Sequence, residues 1–371
     1  MQEIIIISLG SNLGNRITYL FKALALLEMH SISVKTLSGV YESPAWGFES
    51  TPFYNACATL ETTLTPHALL EVLLQVEQQL GRKRMSEKGY IARTIDLDLL
   101  FFNAENIYTD RLHIPHPKLH KRNFVLAPLL DIAPTLIHPI LFQTVEDLFK
   151  MNADSEEAVK TPHNLGLPPI FKHFPYLVIE GNIGVGKTTL ATQLASHYKA
   201  DLRTESFAKN PYLEVFYQDS KTHALAVENF FLTDRFKQES IFWEKAHVAV
   251  VADYSLYKSL VFAAENLNTS DYRRYFETFE GEINTKKLPS LMVFLNAPVS
   301  KLQKQIKIRG RTYEQGIKMD YLERLAIGYE ALLQRDLPFP VLNIAVEELD
   351  FEHDQIAFQR ILRTIFRASF L

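Results

Sequence analysis

Two stretches of this 371-residue chain carry residue types at spacings suited to phosphate chemistry. Gly181-Asn182-Ile183-Gly184-Val185-Gly186-Lys187-Thr188 fits G-x-x-x-x-G-K-[ST], and it follows a strand-like run and opens a helix-like one, as that motif requires. The glycines let backbone N–H groups wrap phosphates, Lys187 neutralises phosphate charge, and the Thr188 hydroxyl can ligate Mg²⁺. Thr94-Ile95-Asp96-Leu97-Asp98-Leu99-Leu100 instead alternates apolar and acidic residues. On a strand, period two puts Asp96 and Asp98 on one face. Two neighbouring carboxylates repel unless cations sit between them, which suits a divalent metal site, while a solvated strand face is equally open on these residues alone. Arg82, Lys83, Arg84 and Arg93 precede them, and Arg111, His116, Lys118 and Arg122 follow. Metals beside arginines and lysines describe a polyphosphate site. His113, His116 and His120 lack zinc-ligand spacing and are not read as a metal cluster.

The elements that must position these residues fall into two groups. At this length two domains are the expectation. Between Lys150 and Phe174 the pattern turns polar, then Pro162, Gly166, Pro168 and Pro169 arrive without periodicity. We therefore read residues 1–150 as one domain, 151–173 as a linker and 174–371 as a second domain. Before the linker, strand patterns (Ile4–Leu9, Val34–Tyr41, Phe53–Glu61, Thr94–Phe102) mix with helical ones (Arg16–Glu28, Pro66–Leu80), which predicts an α+β antiparallel sheet with helices on one face. After it, helical spans (Thr188–Tyr198, Leu225–Trp243, Asp271–Asn284, Lys301–Ile308, Met319–Leu333, Asp354–Phe366) alternate with short apolar strands (Tyr176–Ile179, Leu291–Leu295, Val341–Ile344), which predicts α/β with a parallel sheet. A net charge of −4 gives no reason to expect nucleic acid or a membrane surface as partner. The single cysteine, Cys57, excludes an internal disulfide, and no apolar run of about 18 residues suggests a spanning helix. The N-terminus lacks a basic signal-peptide region, so a cytoplasmic location is expected.

More of the second domain is familiar. Glu180-Gly181-Asn182, Glu205-Ser206-Phe207, Asn210-Pro211-Tyr212-Leu213-Glu214, Phe216-Tyr217-Gln218-Asp219, Asp253-Tyr254-Ser255 and Arg309-Gly310-Arg311-Thr312-Tyr313-Glu314-Gln315-Gly316 occur in that order. Together they resemble the deoxyribonucleoside kinase family, especially its bacterial deoxyadenosine/deoxyguanosine branch, over residues 174–371. The resemblance implies a P-loop NTPase fold in which Gly181 to Thr188 and Thr189 bind ATP. It implies Glu205 as the base for a sugar 5′-hydroxyl, Arg309 and Arg311 on a lid that stabilises the transferred phosphoryl group, and Tyr217 and Glu314 on the 3′-hydroxyl. Asp253 would join Thr188 at Mg²⁺. Two positions depart from the family: Tyr254 stands where an arginine usually pairs near the base, and Glu228 where a glutamine usually reads the nucleobase. A carboxylate only accepts, so Glu228 favours bases presenting N–H donors. Arg235, two helical turns on, faces the same way, to restrain Glu228 or touch the base.

The first domain has its own ordered set: Gly10-Ser11-Asn12-Leu13, Tyr41-Glu42-Ser43-Pro44, Tyr54-Asn55-Ala56, Glu77-x-x-x-Gly81-Arg82, Arg93-Thr94-Ile95-Asp96-Leu97-Asp98 and Pro115-His116-Pro117. It resembles 6-hydroxymethyl-7,8-dihydropterin pyrophosphokinase, which implies a ferredoxin-like fold and transfer of the pyrophosphoryl group of ATP to a pterin hydroxymethyl oxygen. By that resemblance Asp96 and Asp98 carry two Mg²⁺, Arg82 and Arg93 support the transferred group, and Glu77, His116 and Arg122 serve ATP. Ser43, Pro44, Asn55 and Phe124 form the pterin slot, with Trp46 nearby. The family's tryptophan before the aspartates is replaced around Tyr90, and Phe53 stands where a tyrosine is usual.

The sequence thus reads as a bifunctional ATP- and Mg²⁺-dependent phosphotransferase of folate synthesis and deoxynucleoside salvage, deoxyadenosine first. Its partners are small-molecule substrates, without nucleic acid or membrane, and the kinase resemblance implies a homodimer through its helices. Two alternatives stay open: a nucleoside monophosphate kinase such as a thymidylate kinase in the second domain, or one catalytically silent regulatory or dimerising domain.

Overall fold

The computed structural model describes residues 4–45, 48–82, 91–152, 157–205, 210–218, 220–245, 247–311, 314 and 316–371, leaving aside the side chains at 214, 217, 218, 220 and 221. The chain divides into two compact units, Met1–Pro168 with Gln359–Leu371, and Pro169–Phe358.

The first unit is built on strands β1 (Ile5–Ser11), β2 (Ile32–Leu37), β3 (Tyr41–Ser43), β4 (Phe53–Thr62), β5 (Asp96–Phe102), a short β6–β7 pair (Ile107–Tyr108, His113–Ile114) and β8 (Val159–Lys160). The main sheet runs β5-β1-β4-β3-β8 with β2 also on β4, and its pairings are antiparallel. β1 lies between β4 and β5, which is why its Ile5-Ile6-Ile7 run is apolar on both faces. Helices α1 (Arg16–Leu27), α2 (Pro66–Gln79), α3 (Asn123–Ile132) and α4 (Val145–Met151) complete the unit. α2 starts where the sequence says it should: the Thr65 hydroxyl accepts from Ala68 N–H, and Pro66 occupies the first turn, where a missing N–H costs nothing. Ile6, Leu100, Phe101, Leu126, Leu129 and Leu148 form a core joining the sheet to α3 and α4.

Two sequence expectations change here. The strand read over Val34–Tyr41 is split, because the Ser38 hydroxyl accepts from Cys57 N–H (2.8 Å) and Gly39 N–H donates to Asp131 (2.9 Å). Those bonds hold a bend between β2 and β3. Within the segment read as linker, β8 pairs with β3, and Lys160 Nζ donates to Asp131 (2.9 Å).

The second unit contains a five-stranded parallel sheet in the order β10-β11-β9-β12-β13. In chain order it comprises α5 (Ile170–His173), β9 (Tyr176–Gly181), α6 (Lys187–Tyr198), β10 (Asp201–Arg203), α7 (Leu213–Gln218), α8 (Ser220–Phe242), β11 (Val250–Ala252), α9 (Lys258–Asn266), α10 (Thr269–Ile283), β12 (Leu291–Asn296), α11 (Val299–Arg309), α12 (Met319–Leu333), β13 (Val341–Ala345) and the start of α13 (Gln355–Arg367). β9, fully buried, occupies the middle of the sheet and feeds the phosphate loop directly into α6. Strands β10 and β11 and helix α9 were not read from the sequence. The two strands have three residues each, too few to show a period. Among the described residues no helix is long and apolar enough to cross a membrane.

From Gln359 onward α13 belongs to the first unit. Phe366 meets Phe21 of α1 edge to face at 5.8 Å, and Arg363, only 1% exposed, donates to Glu28 from Nε (2.9 Å) and Nη2 (2.6 Å). Burial raises the Glu28 carboxyl above its ordinary range even with Arg363 beside it. Removing one partner of such a pair strands the other charge. Arg363→Ala is therefore expected to destabilise the first unit by about 3–5 kcal/mol in urea unfolding of the full chain, whereas Arg363→Met with Glu28→Leu regains most of that loss.

Candidate active sites

In the first unit, antiparallel pairing of β1 with β5 sets Asp96 opposite Gly10 and Asp98 opposite Ser8. Both carboxylates face two cavities. One, of about 190 Å³, is lined by Ser43, Pro44, Asn55, Phe53, Phe48, Phe124 and Arg122; the other, of about 420 Å³, by Glu77, Asp110, Arg111 and His113. Asp96, Asp98, Arg82 and His116 line both. The smaller cavity sets the rings of Phe48, Phe53 and Phe124 and Pro44 beside the polar and charged groups of Ser43, Asn55, Arg122 and the two aspartates, a mix suited to a small polar ligand. Asn55 Nδ2 donates to Ser43 Oγ (2.9 Å), and a Cβ on Gly10 would stand 3.2 Å from Asn55 Oδ1, so the glycine keeps that amide in place.

Arg82 pairs with both Glu77 and Asp96, and Arg93 Nη1 lies 2.7 Å from the other Asp96 oxygen. Glu77 also accepts from Leu97 N–H (2.8 Å), which ties the end of α2 to β5. Asn12 accepts from Arg93 N–H (2.8 Å) and donates its own N–H to Arg93 O (3.1 Å), so the Gly10-Ser11-Asn12 motif holds the strand entry bearing Arg93. Burial, and then the Asp96 charge, raise the Asp98 carboxyl. Burial and the Arg122 charge pull His116 down to about 4, so its ring is neutral at pH 7. Its Nδ1 accepts from Lys118 N–H (3.3 Å), which places the proton on Nε2 as a donor. The sequence features at Tyr90 and Trp46 lie outside the described residues.

In the second unit the phosphate loop curls between β9 and α6. Gly184 sits at φ +83°, and a Cβ there would come within 2.9 Å of Leu302 O, so no other residue fits. Lys187 Nζ donates to Gly181 O (2.7 Å) and Asn182 O (3.0 Å), and the Thr188 hydroxyl donates to Asp253 Oδ2 (2.6 Å). The two groups expected at Mg²⁺ are thus in contact. Asp253 Oδ1 accepts from Glu205 N–H (2.8 Å), and Glu205 follows β10 as Asp253 follows β11. Parallel strand ends therefore bring Glu205, Asp253 and the loop together, as open α/β sheets do.

Glu205 is 7% exposed. Lys258 Nζ donates to its Oε2 (2.6 Å) and Arg235 Nε to its Oε1 (2.9 Å). Burial alone would raise this carboxyl, but Lys258 and Arg235 overcome it and hold the group at about 2. Arg235, expected to restrain Glu228 or touch the base, donates to Glu205 and to Ser259 Oγ (2.7 Å). Tyr254 turns its hydroxyl to Arg203 Nε (3.1 Å). Arg309 Nε (2.9 Å) and Arg311 Nη1 (3.4 Å) both donate to Glu314, the residue expected at the sugar 3′-hydroxyl. The Tyr217 side chain and residues Thr312, Tyr313 and Gln315 lie outside the described set.

A cavity of about 70 Å³ gathers Lys187, Glu205, Glu228, Arg235, Lys258, Arg309, Arg311 and Glu314 with Asn266, Phe262 and Tyr321. A larger one, of about 600 Å³, touches the loop at Gly184, Val185, Gly186 and Thr189 and extends to Asp350, Phe351 and His353. Lys258, Asn266 and Tyr321 were not singled out from the sequence; no motif marks them, and only the packing of α9 and α12 brings them in. The Tyr321 hydroxyl donates to Asn266 Oδ1 (3.2 Å), which turns Asn266 Nδ2 to donate to Glu228 Oε1 (2.7 Å). Among the described residues Glu228 Oε2 is buried with no hydrogen-bond partner. Burial pushes Glu228 up to about 7 against the Asn266 hydrogen bond and the Arg235 charge.

Known proteins match both halves. The Deoxynucleoside kinase family matches residues 177–370, and the 7,8-dihydro-6-hydroxymethylpterin-pyrophosphokinase family matches residues 6–134. "Deoxyguanosine kinase" of Bacillus subtilis (strain 168) is 33% identical over 194 residues, covering 50% of this chain and 94% of that protein. "2-amino-4-hydroxy-6-hydroxymethyldihydropteridine pyrophosphokinase" of the same organism is 46% identical over 134 residues, covering 36% of this chain and 79% of that protein. "Folic acid synthesis protein fol1" of Pneumocystis carinii is 41% identical over 155 residues, and the chain spans only 21% of its length. The chain belongs to the deoxynucleoside kinase family over residues 177–370 and to the dihydropterin pyrophosphokinase family over residues 6–134.

Proposed function

We propose that the chain runs two ATP-dependent transfers: a pyrophosphoryl group to 6-hydroxymethyl-7,8-dihydropterin in the first unit, and a γ-phosphoryl group to the 5′-hydroxyl of a purine deoxynucleoside in the second. The first reading is carried by Asp96, Asp98, Arg82 and His116 lining both a 190 Å³ cavity with aromatic walls and a 420 Å³ one. The wall shared by an acceptor and a donor site is where a transferred group must cross. The second is carried by Glu205 and Lys187 lining one cavity, a base and a phosphate cradle facing each other.

Asp96 with Asp98, and Thr188 with Asp253, are the groups that would hold Mg²⁺. Among the described residues no cluster of three or more His, Cys, Asp and Glu side chains forms a closed cage, and Mg²⁺ ordinarily takes one or two carboxylates plus phosphate oxygens. Bound there, it would neutralise phosphate charge. In the second unit the nucleoside 5′-oxygen attacks the γ-phosphorus, its proton passes to a Glu205 oxygen, and ADP leaves. A carboxylate as acidic as Glu205 is a weak base, which suits a loose transition state whose attacking oxygen loses its proton late. Arg309 and Arg311 neutralise charge on the transferred group. In the first unit Arg82 and Arg93 do the same, and His116 donates from Nε2.

A monophosphate acceptor would need cations to receive its phosphate. Apart from Lys187 of the phosphate cradle, those lining the small cavity are engaged by carboxylates: Arg235 and Lys258 by Glu205, Arg309 and Arg311 by Glu314. That supports a hydroxyl acceptor. The resemblance also supports pairing of two copies through kinase helices and a cytoplasmic location.

Asp96→Asn is expected to cut pyrophosphoryl transfer by about 10³-fold and leave nucleoside phosphorylation within twofold, with Glu205→Gln doing the reverse. Product formation from each substrate pair, with the purified full chain, measures both. A chain in which neither substitution affects either reaction would contradict this assignment. Glu228 gives a second expectation. Below about pH 7 its neutral carboxyl donates as well as accepts; above, it only accepts. The ratio of kcat/KM for deoxyadenosine over thymidine should therefore rise as pH increases from 6 to 8, and Glu228→Gln should flatten that dependence.

A further inference from the structure

We infer that Lys258 is a positioning residue of the phosphoryl transfer, aiming the Glu205 carboxylate at the phosphate cradle by holding the oxygen that Arg235 does not reach. This rests on the kinase reading of the second unit. Neither the phosphate-loop motif nor any other stretch discussed above pointed to Lys258.

Its surroundings leave little freedom. Lys258 opens α9 and is 5% exposed, and its Nζ lies 2.6 Å from Glu205 Oε2 and 5.1 Å from the centre of the Phe262 ring. An ammonium held between a carboxylate and an aromatic face is fixed in position by both. Arg235 approaches from α8 and takes Oε1. Cations on two different helices therefore hold the two oxygens, which prevents rotation of the carboxylate about its last bond. A carboxylate held by one cation alone would keep that rotation, and a base rotated away from the attacking oxygen loses its geometry.

The arrangement also settles where the missing charge of Tyr254 goes. The resemblance places an arginine at that position, near the base. Here Tyr254 is fully buried with its hydroxyl on Arg203, and the cation arrives from Lys258, four residues on. Lys258 also lines the same cavity as Lys187. The lysine that holds the base therefore also borders the cavity into which the phosphate cradle opens.

A counter-ion with only a structural role would predict lost stability and unchanged turnover. The test is steady-state phosphorylation of deoxyadenosine and deoxyguanosine by the full chain, comparing parent, Lys258→Met and Lys258→Arg, with thermal melting of each. We expect kcat to fall about 100-fold in Lys258→Met with nucleoside KM within about threefold, and Lys258→Arg to recover to within tenfold of the parent. A Lys258→Met chain whose kcat stays within threefold of the parent overturns the inference, as does one that raises only KM. Should Lys258→Met fail to fold, Lys258→Arg decides. A folded arginine variant with kcat within tenfold supports the inference, and a folded one without turnover overturns it. A parent chain that phosphorylates no deoxynucleoside sinks the kinase reading itself, and is recognised before any variant is compared.

Discussion

Taking a carboxylate out of water is costly enough that an unassisted acid would protonate instead. Glu205 meets that cost with two cations, Arg235 from α8 and Lys258 from α9, and with the order of the sheet beneath it. Because β10 and β11 are parallel neighbours, Glu205 and Asp253 leave the sheet side by side, and Asp253 receives both the Glu205 N–H and the Thr188 hydroxyl. Glu205, Asp253 and Thr188 of the phosphate loop are thus one hydrogen-bonded set. The long α8 supplies the arginine, and the turn after β11 sets the start of α9 so that its first residue reaches the same carboxylate.

The first unit meets a related problem with different geometry. Its acids lie side by side on one antiparallel strand, and the arginines come from the end of α2 and from the strand entry. Asp96 is shared by Arg82 and Arg93, while Asp98 has Asp96 as the charged neighbour that most raises its carboxyl. In the second unit Glu205 and Glu314 are closed into ion pairs; in the first Asp98 stands beside a second carboxylate that raises it. Each suits its expected cargo, since a repelled carboxylate pair is a better seat for divalent cations than a neutralised one.

How much of this was legible depended on distance along the chain. The phosphate loop and the Asp96–Asp98 alternation are local, and a spacing rule within eight residues carries their chemistry. Helices such as Met319–Leu333 were legible for the same reason, through repeated apolar contacts at helical spacing. Lys258, Asn266 and Tyr321 were not, because their roles arise only when α9 packs against α8 and α12. Arg235 was placed on the correct helix face, but which acid it meets depends on where Glu205 emerges from another strand. The bend at Ser38-Gly39 depends likewise on Asp131 and Cys57, distant in sequence.

The return of Gln359–Leu371 to the first unit bears on the timing of synthesis. Strands β1 to β5 leave the ribosome early, but the segment carrying Arg363 and Phe366 emerges only after the whole of Pro169–Phe358. At about 5–20 residues per second, those ~190 residues take roughly 10–40 s to make. Throughout that interval α1 waits with Glu28 and Phe21 uncovered by the residues that later pack on them. The half that matches the pyrophosphokinase family is thus made ahead of the other half and completed after it. A protease cut between the halves would therefore not release two complete domains, since each fragment would lack or carry what the other needs.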